Sequence, residues 1–379
     1  MIMIKHIFAN MLFSFAYVIL GDRMKKLGII CLGLFLLFPY SVQAISTSAT
    51  SSILMDMDSG RIIYENNSHE VRSVASISKI MTAILAIESK KLDKTVKVSD
   101  VVLEAYGSGI YIKPGEKLTL QDLVYGLMLR SGNDAALMIA EYVGGSVPKF
   151  VEKMNQKAQE IGMKQTTFHN PSGLDEEDEV GNFSTAYDMA ILTSYAMKNK
   201  TYQKIVGTKK YTLKTNKNTY VWYNKNKLLT NYENTTGGKT GFTKKARRTL
   251  VSTASKDQLN FVVVTLNDGN DFQDHENLHE YGFTYYKKYR LLKKGTVKIE
   301  DEKYYKNETL YIKNDIDYPL REDEKQSVRL SFQLNKKKQL KDGGKVGEVH
   351  VKVGDEMVLK EPIYVKKAKS KKKEFLGLW

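Results

Sequence analysis

Cysteine is almost absent. Cys31 is the only one in 379 residues, and it lies in an apolar run near the N-terminus. From Met24 that run reads MKKLGIICLGLFLLFPYSVQA: two lysines, an apolar stretch, then Val42-Gln43-Ala44. This is the arrangement of a secretory signal cleaved after Ala44, with Met24 as the expected start. Residues 1–23 add a second apolar run, FANMLFSFAYVIL, whose other reading is a membrane span. Ile30 stands where a lipoprotein site needs a small residue before its cysteine. The exported chain then has no thiol, which excludes disulfides, cysteine catalysis and cysteine-held metals.

Histidine is also scarce, with six in the chain. His275 and His279 have helical i,i+4 spacing around Glu276, but HENLH is not the HExxH order of a zinc helix. The expectation there is a solvated helix face and no metal. Acidic residues are outnumbered, 43 against 58 basic, for a net charge of +15. Loss of residues 1–44 removes Lys5, Arg23, Lys25 and Lys26 against Asp22 and leaves +12. Such an excess suits a polyanionic neighbour. Nucleic acid is one; for an exported chain, anionic membrane lipids and wall polymers are expected instead. There is no internal repeat.

Three short patterns stand in one order: Ser76-Ile-Ser-Lys79, Ser131-Gly-Asn133 and Lys239-Thr-Gly241. They offer a hydroxyl with an amine one turn away, a second hydroxyl with an amide, and a cation beside a hydroxyl and a glycine. That is equipment for acyl transfer from a substrate ending in a carboxylate. Ser-x-x-Lys recurs at Ser146-Val-Pro-Lys149 and Ser370-Lys-Lys-Lys373, so context must choose. Ser76 opens SISKIMTAILAIES, where Ile77, Ile80, Met81 and Ile84 recur at helical spacing, so Ser76 and Lys79 share a face. Pro148 interrupts the second match, and the third lies in a charged tail.

Residues 45–65 read as two strands joined by Asp58-Ser59-Gly60. Residues 102–119 read as strand and loop turning at Pro114-Gly115, and Thr119 as the cap of a helix from about Gln121. Ser131 breaks that helix and a second resumes to Gly144-Gly145. Helices are expected over 148–162 and 185–199, strands from TYVWYN through NFVVVTLND, and a closing helix over 274–290. Val328, Leu330, Phe332 and Leu334 alternate with polar residues, as do Val349, Val351 and Val353. The organisation expected is an N-terminal extension and signal over 1–44, a catalytic domain over 45–290, a small all-β domain over 293–366 and a basic tail over 367–379. The fold class is α+β, a helical cluster beside an antiparallel sheet with the nucleophile helix between them.

With SVASISKIMTAILA, YIKPGEKLTLQDLVYGLMLRSGNDAA, FHNPSGLDEEDEVGNFSTAYDMA and GGKTGFT in place, the chain resembles the D-alanyl-D-alanine carboxypeptidases among the low-molecular-mass penicillin-binding proteins. The resemblance spans about residues 46–285, and the C-terminal β domain looks like the one that accompanies this subgroup. It implies a penicillin-binding/serine β-lactamase-like fold. It implies Ser76 as the acylated nucleophile and Lys79, held partly neutral, as its base. Ser131 would relay a proton to the leaving amine. Asn133 would bind substrate backbone and hold Lys79. Lys239 and Thr240 would grip the terminal carboxylate, Gly241 would allow close approach, and the N–H groups of Ser76 and Phe242 would form the oxyanion hole. The substrate implied is the peptidoglycan stem pentapeptide, and β-lactams are implied as acylating mimics. No cofactor or metal is implied.

A serine β-lactamase shares the three patterns. It would need a residue to activate water, for which the acidic run Asp175-Glu176-Glu177-Asp178 is in about the right region. A non-catalytic wall-binding protein is the third reading. One departure is Ala246-Arg247-Arg248, where the family usually has Ala-Gly; a positive φ there would strain Arg247. The tail, with six lysines between Lys366 and Lys373 before Phe375, Leu376, Leu378 and Trp379, reads as a salt-sensitive anchor to the outer face of the cytoplasmic membrane, with a solvated end as the alternative.

Overall fold

The computed structural model describes residues 45–175, 181–300, 302–336, 339 and 341–367. The expected signal, residues 176–178 of the acidic run, and the tail beyond Lys367 lie outside the described residues.

The first half begins with strands β1 (Ser51–Asp56) and β2 (Ile62–Asn66), joined by the Asp58-Ser59-Gly60 turn. The short β3 (Arg72–Ser73) leads into a 3-10 turn over Ala75–Ser78 and helix α1 (Lys79–Glu88). A hairpin of β4 (Thr95–Lys97) and β5 (Lys117–Thr119) follows. Thr119 caps α2 (Leu120–Tyr125) in a reciprocal box with Asp122, one residue earlier than expected. The helix then widens into a π turn over Gly126–Arg130 before α3 (Asn133–Gly144) and α4 (Val147–Glu160). Ser146, of the second Ser-x-x-Lys match, is only the cap of α4, accepting from the N–H of Lys149.

Next come β6 (Phe183–Ser184), α5 (Ala186–Ala196), α6 (Lys200–Val206), the hairpin β7 (Lys210–Lys214) and β8 (Thr219–Tyr223), and a turn of helix α7 (Leu228–Asn231). The long strands β9 (Thr235–Thr243), β10 (Arg247–Lys256) and β11 (Leu259–Leu266) precede α8 (Asp271–Tyr285). The central sheet is antiparallel in the order β2-β1-β11-β10-β9, so β9 is an edge strand. Successive residues of β1 and most of β11 are buried, because helices, α5 and α8 among them, cover both faces. One apolar core runs from this sheet through α1, which is buried at eight of its ten positions, into the helical cluster.

Helix α8 ends at Tyr285, not 290. Tyr286 is extended, and β12 (Lys287–Leu292) pairs with β15 (Ile316–Leu320) in the C-terminal part. The remaining strands form one sheet in the order β13-β14-β18-β17-β16: β13 (Gly295–Thr296), β14 (Thr309–Ile312), β16 (Val328–Leu334), β17 (Lys345–Val353) and β18 (Glu356–Lys366). Arg61, just after the β1–β2 turn, joins the two parts. Its guanidinium lies over the rings of Tyr286 and Tyr318 and donates to Pro319 O and Glu324.

His275 and His279 correct the expectation of a solvated face. Both are fully buried between α8 and the sheet. His275 Nδ1 and His279 Nε2 meet the Ser252 hydroxyl at 2.7 and 2.8 Å, and His275 Nε2 meets Thr265 Oγ1 at 3.0 Å. Polar residues at i,i+4 read as exposed until a buried serine opposite gives each a partner; His279 Nδ1 alone of the four ring nitrogens has none. Burial holds His275 well below its usual pKa of 6.5 and His279 at about 3. Above pH 6.5 neither state binds these protons. Below it the unfolded chain takes them up and the native chain does not, so stability falls as pH falls, by up to about 1.4 kcal/mol per unit per histidine. Urea midpoints at about pH 7.5 and 5 should therefore differ more for the wild type than for His279→Asn. Equal slopes would show that this pair does not set the acid limit.

Candidate active site

Ser76 sits on the 3-10 turn, where residues three apart eclipse one another. Of residues 73–80, Ser76 alone keeps partial solvent access. Ala75, before it, holds the left-handed conformation at φ 50°, and its carbonyl accepts from Ser78 Oγ at 2.7 Å. A non-glycine residue there is strained, and surrounding contacts must hold it.

Lys79 is fully buried, yet no carboxylate among the described residues forms an ion pair with it. Its Nζ lies 2.9 Å from Ser76 Oγ, 2.8 Å from Asn133 Oδ1 and 2.5 Å from Ser172 O. An ammonium would donate to all three. A neutral amine has two N–H groups and one lone pair, so it can donate to Asn133 and Ser172 and turn its lone pair to the Ser76 hydroxyl. Burial, then the charges of Lys239 and Lys225, push the Lys79 pKa well below its usual value, with Asp134 opposing.

Asn133 is gripped by the 105–112 loop. Its N–H donates to Ser108 O at 2.7 Å and its Nδ2 to Tyr106 O at 2.6 Å. Asp134 pins the same loop, accepting from the N–H groups of Ile110 and Tyr111. Ser131 ends the π turn at φ 64°, a left-handed kink that starts α3 in a new direction. π turns recur at functional sites because they re-aim side chains.

On β9, Lys239 is buried and donates to Thr240 O at 2.5 Å. Burial and the charge of Lys225 pull its pKa down to about 7. Gly241 lies against the nucleophile turn. A Cβ there would come within 2.4 Å of Thr249 Oγ1 and 3.0 Å of the Ser76 nitrogen, so only glycine fits. Phe242 presents its ring to solvent. The structure thus gathers Ser76, Lys79 and Asn133 in direct contact and lays the Lys239-Thr240-Gly241 strand beside them.

Three contributors escaped the sequence reading. Ser172 belongs to the Asn170-Pro-Ser-Gly turn, and its carbonyl holds Lys79. Asn170 Oδ1 closes the turn on the N–H groups of Ser172 and Gly173, and a Cβ at Gly173 would lie 2.0 Å from Ala75 O. The glycine was the available signal. Lys225 donates to Ser108 Oγ at 3.2 Å at the edge of the site. Asp175, the described residue of the acidic run, accepts from Thr243 Oγ1 at 2.6 Å and from Ser73 Oγ. It ties the end of β9 to β3, and these bonds compete with any use of it to activate water.

Arg247 does occupy a left-handed position, φ 60°, at the end of the β9–β10 turn. Such a conformation costs a non-glycine residue about 1–2 kcal/mol. Arg247→Gly should raise the urea midpoint accordingly, offset in part by added unfolded-state entropy. A lower midpoint would mean that the arginine side chain more than repays its strain.

The D-alanyl-D-alanine carboxypeptidase profile matches residues 39–270, and the penicillin-binding protein 5 C-terminal domain profile matches residues 286–371. The D-alanyl-D-alanine carboxypeptidase DacF of Bacillus subtilis is 38% identical over 57% of this chain and 56% of its own length. DacC of Escherichia coli is 34% identical over 65% of this chain and 64% of its length. The chain thus spans less than two thirds of these curated relatives. The crystal structure of the D-alanyl-D-alanine carboxypeptidase DacD from Francisella tularensis superposes with a TM-score of 0.65 at 27% identity, over 85% of this chain and 94% of that one. A match over more than half of the chain, carrying all three motifs of the site, establishes that the chain belongs to the D-alanyl-D-alanine carboxypeptidase family of penicillin-binding proteins.

Proposed function

We propose that this protein is a serine D-Ala-D-Ala carboxypeptidase that removes the terminal D-alanine from peptidoglycan stem pentapeptides through an acyl-enzyme. The observation that carries this is Lys79, buried with no ion-pair partner among the described residues, its Nζ 2.9 Å from the one accessible serine of the turn. The substrate would lie along edge strand β9, with its terminal carboxylate near Lys239 and Thr240. Lys79 takes the Ser76 proton as Oγ attacks the penultimate D-alanine carbonyl. The oxyanion is held by the N–H groups of Ser76 and Phe242, a feature worth about 3 kcal/mol per donor. Ser131 passes a proton to the leaving D-alanine amine. Water then releases the shortened peptide. β-Lactams, which carry a carboxylate beside a strained amide, would acylate the same Ser76. No step calls for a metal or cofactor.

Mass spectrometry of the intact protein with penicillin and with a pentapeptide tests this reading. A stable penicilloyl adduct on Ser76 together with D-alanine release supports it. Penicillin turnover faster than pentapeptide turnover would make the protein a β-lactamase, and neither adduct nor release would leave a wall-binding protein. Support for a location on the outer face of the cytoplasmic membrane comes from the signal-like segment over 24–44 and the lysine-rich segment over 366–373, which would draw about 1 kcal/mol per charge from an anionic surface. Deleting residues 367–379 should abolish salt-sensitive binding to anionic vesicles while leaving turnover of a soluble peptide unchanged. Vesicle binding that survives the deletion would rule out the tail as anchor.

A further inference from the structure

Between Asp188 and Glu233 the chain has nine lysines and no acidic residue, although acidic residues number 43 in 379 overall. This stretch includes the β7–β8 hairpin. Its inner face carries Tyr211, Leu213, Tyr220 and Trp222 against the domain. Its outer face carries Lys210 and Lys214 with exposed Val221 and Tyr223, and Lys210 Nζ stands 5.5 Å over the Tyr223 ring. The turn of this hairpin docks on the β4–β5 hairpin: Lys117 N–H donates to Asn216 Oδ1 and Lys217 Nζ to Pro114 O. There Lys97 and Lys117 are exposed directly opposite one another. Like charges facing across a strand pair are destabilising.

The nearby carboxylates do not relieve this charge. Glu116 and Asp122 are buried beneath the hairpin, where they accept from Tyr220 and from Tyr211 and Thr119. Lys157, Lys288, Lys325 and Lys345 elsewhere form ion pairs. Lys97, Lys117, Lys210, Lys214 and Lys217 form none among the described residues. A stable fold has thus kept an uncompensated, self-repelling lysine face, and β8 runs from it straight to Lys225 at the edge of the active site.

We propose that the outer face of the β7–β8 and β4–β5 hairpins docks a flexible phosphodiester polymer of the cell wall and so holds the enzyme beside its substrate. The proposal rests on the exported, wall-acting reading. A polymer fits better than a lipid surface because, on the four strands of these hairpins, Val221 and Tyr223 are the only large apolar groups exposed. Neutralising successive phosphates releases counter-ions, so the binding should be strongly salt-dependent.

The test uses the full chain, linear poly(glycerol phosphate) as the probe, and the variant K117Q/K210Q/K214Q/K217Q, with a melting curve to verify its fold. Affinity at low salt should fall at least about tenfold. The slope of log K against log salt should shrink by roughly three, at about 0.7 per neutralised phosphate of a flexible strand. Turnover of a small soluble pentapeptide should stay within about twofold. Unchanged polymer affinity in the variant would overturn the proposal. So would a wild type that binds anionic phospholipid vesicles through these lysines but not the polymer, or a variant that loses turnover of the small peptide. Polymer binding is read without turnover, so an inactive enzyme that still binds would refute the proposed reaction and leave this surface standing.

Discussion

Ser76→Ala should abolish both penicilloyl formation and D-alanine release, a loss on the order of 10⁶ in kcat as for other serine nucleophiles. Lys79→Ala should lower acylation by about 10⁴, the upper range for a general base. The more discriminating variant is Lys79→Arg. A guanidinium can keep donor bonds to Asn133 and Ser172 but does not deprotonate in a protein. If Lys79 serves only to hold Asn133 and the Asn170–Gly173 turn in place, arginine should restore much of the activity. If its lone pair takes the Ser76 proton, arginine should be as inactive as alanine, with a melting curve on each variant to verify its fold. The burial of Lys79 and the charges of Lys239 and Lys225, which outweigh Asp134, favour the second outcome. Mass spectrometry after penicillin treatment checks the nucleophile directly, and an adduct on Ser131 or Ser146 would sink the assignment.

The sequence reading went furthest where one local rule governed. Ser76 and Lys79 meet because both lie within one turn, and apolar spacing places that turn on a buried helix. Thr119 caps its helix through a pattern visible in four residues. Arg247 stands out against the glycine usual in the family, and its φ is indeed positive. What the sequence withheld depends on partners distant in the chain. Nothing near His275 tells that Ser252, on strand β10, will meet it and His279 in the core. The carbonyl that holds Lys79 comes from Ser172, 93 residues away, and backbone atoms leave no compositional trace. Tyr285 and Lys287 do not differ in any periodicity that would end a helix between them. The end is set by the pairing of Lys287–Leu292 with Ile316–Leu320.

Lys239 makes a sharp pH prediction. In the free enzyme its pKa lies at about 7, lowered first by burial and then by Lys225. Lys79 is lowered well below its usual value by burial, Lys239 and Lys225. Productive binding of a substrate ending in a carboxylate needs Lys239 charged, whereas acylation needs Lys79 neutral. Because kcat/KM reports free-enzyme ionisations, it should rise as Lys79 loses its proton and fall above about pH 7 as Lys239 loses its own. The alkaline fall approaches tenfold per unit. An amidated analogue has no carboxylate to pair, so its profile should lack that limb. Lys239→Ala should remove the limb for the carboxylate substrate and cost it about 3 kcal/mol, roughly a hundredfold, with a much smaller loss for the amide. Equal losses for both, or an alkaline limb that persists in the variant, would show that Lys239 does not read the carboxylate.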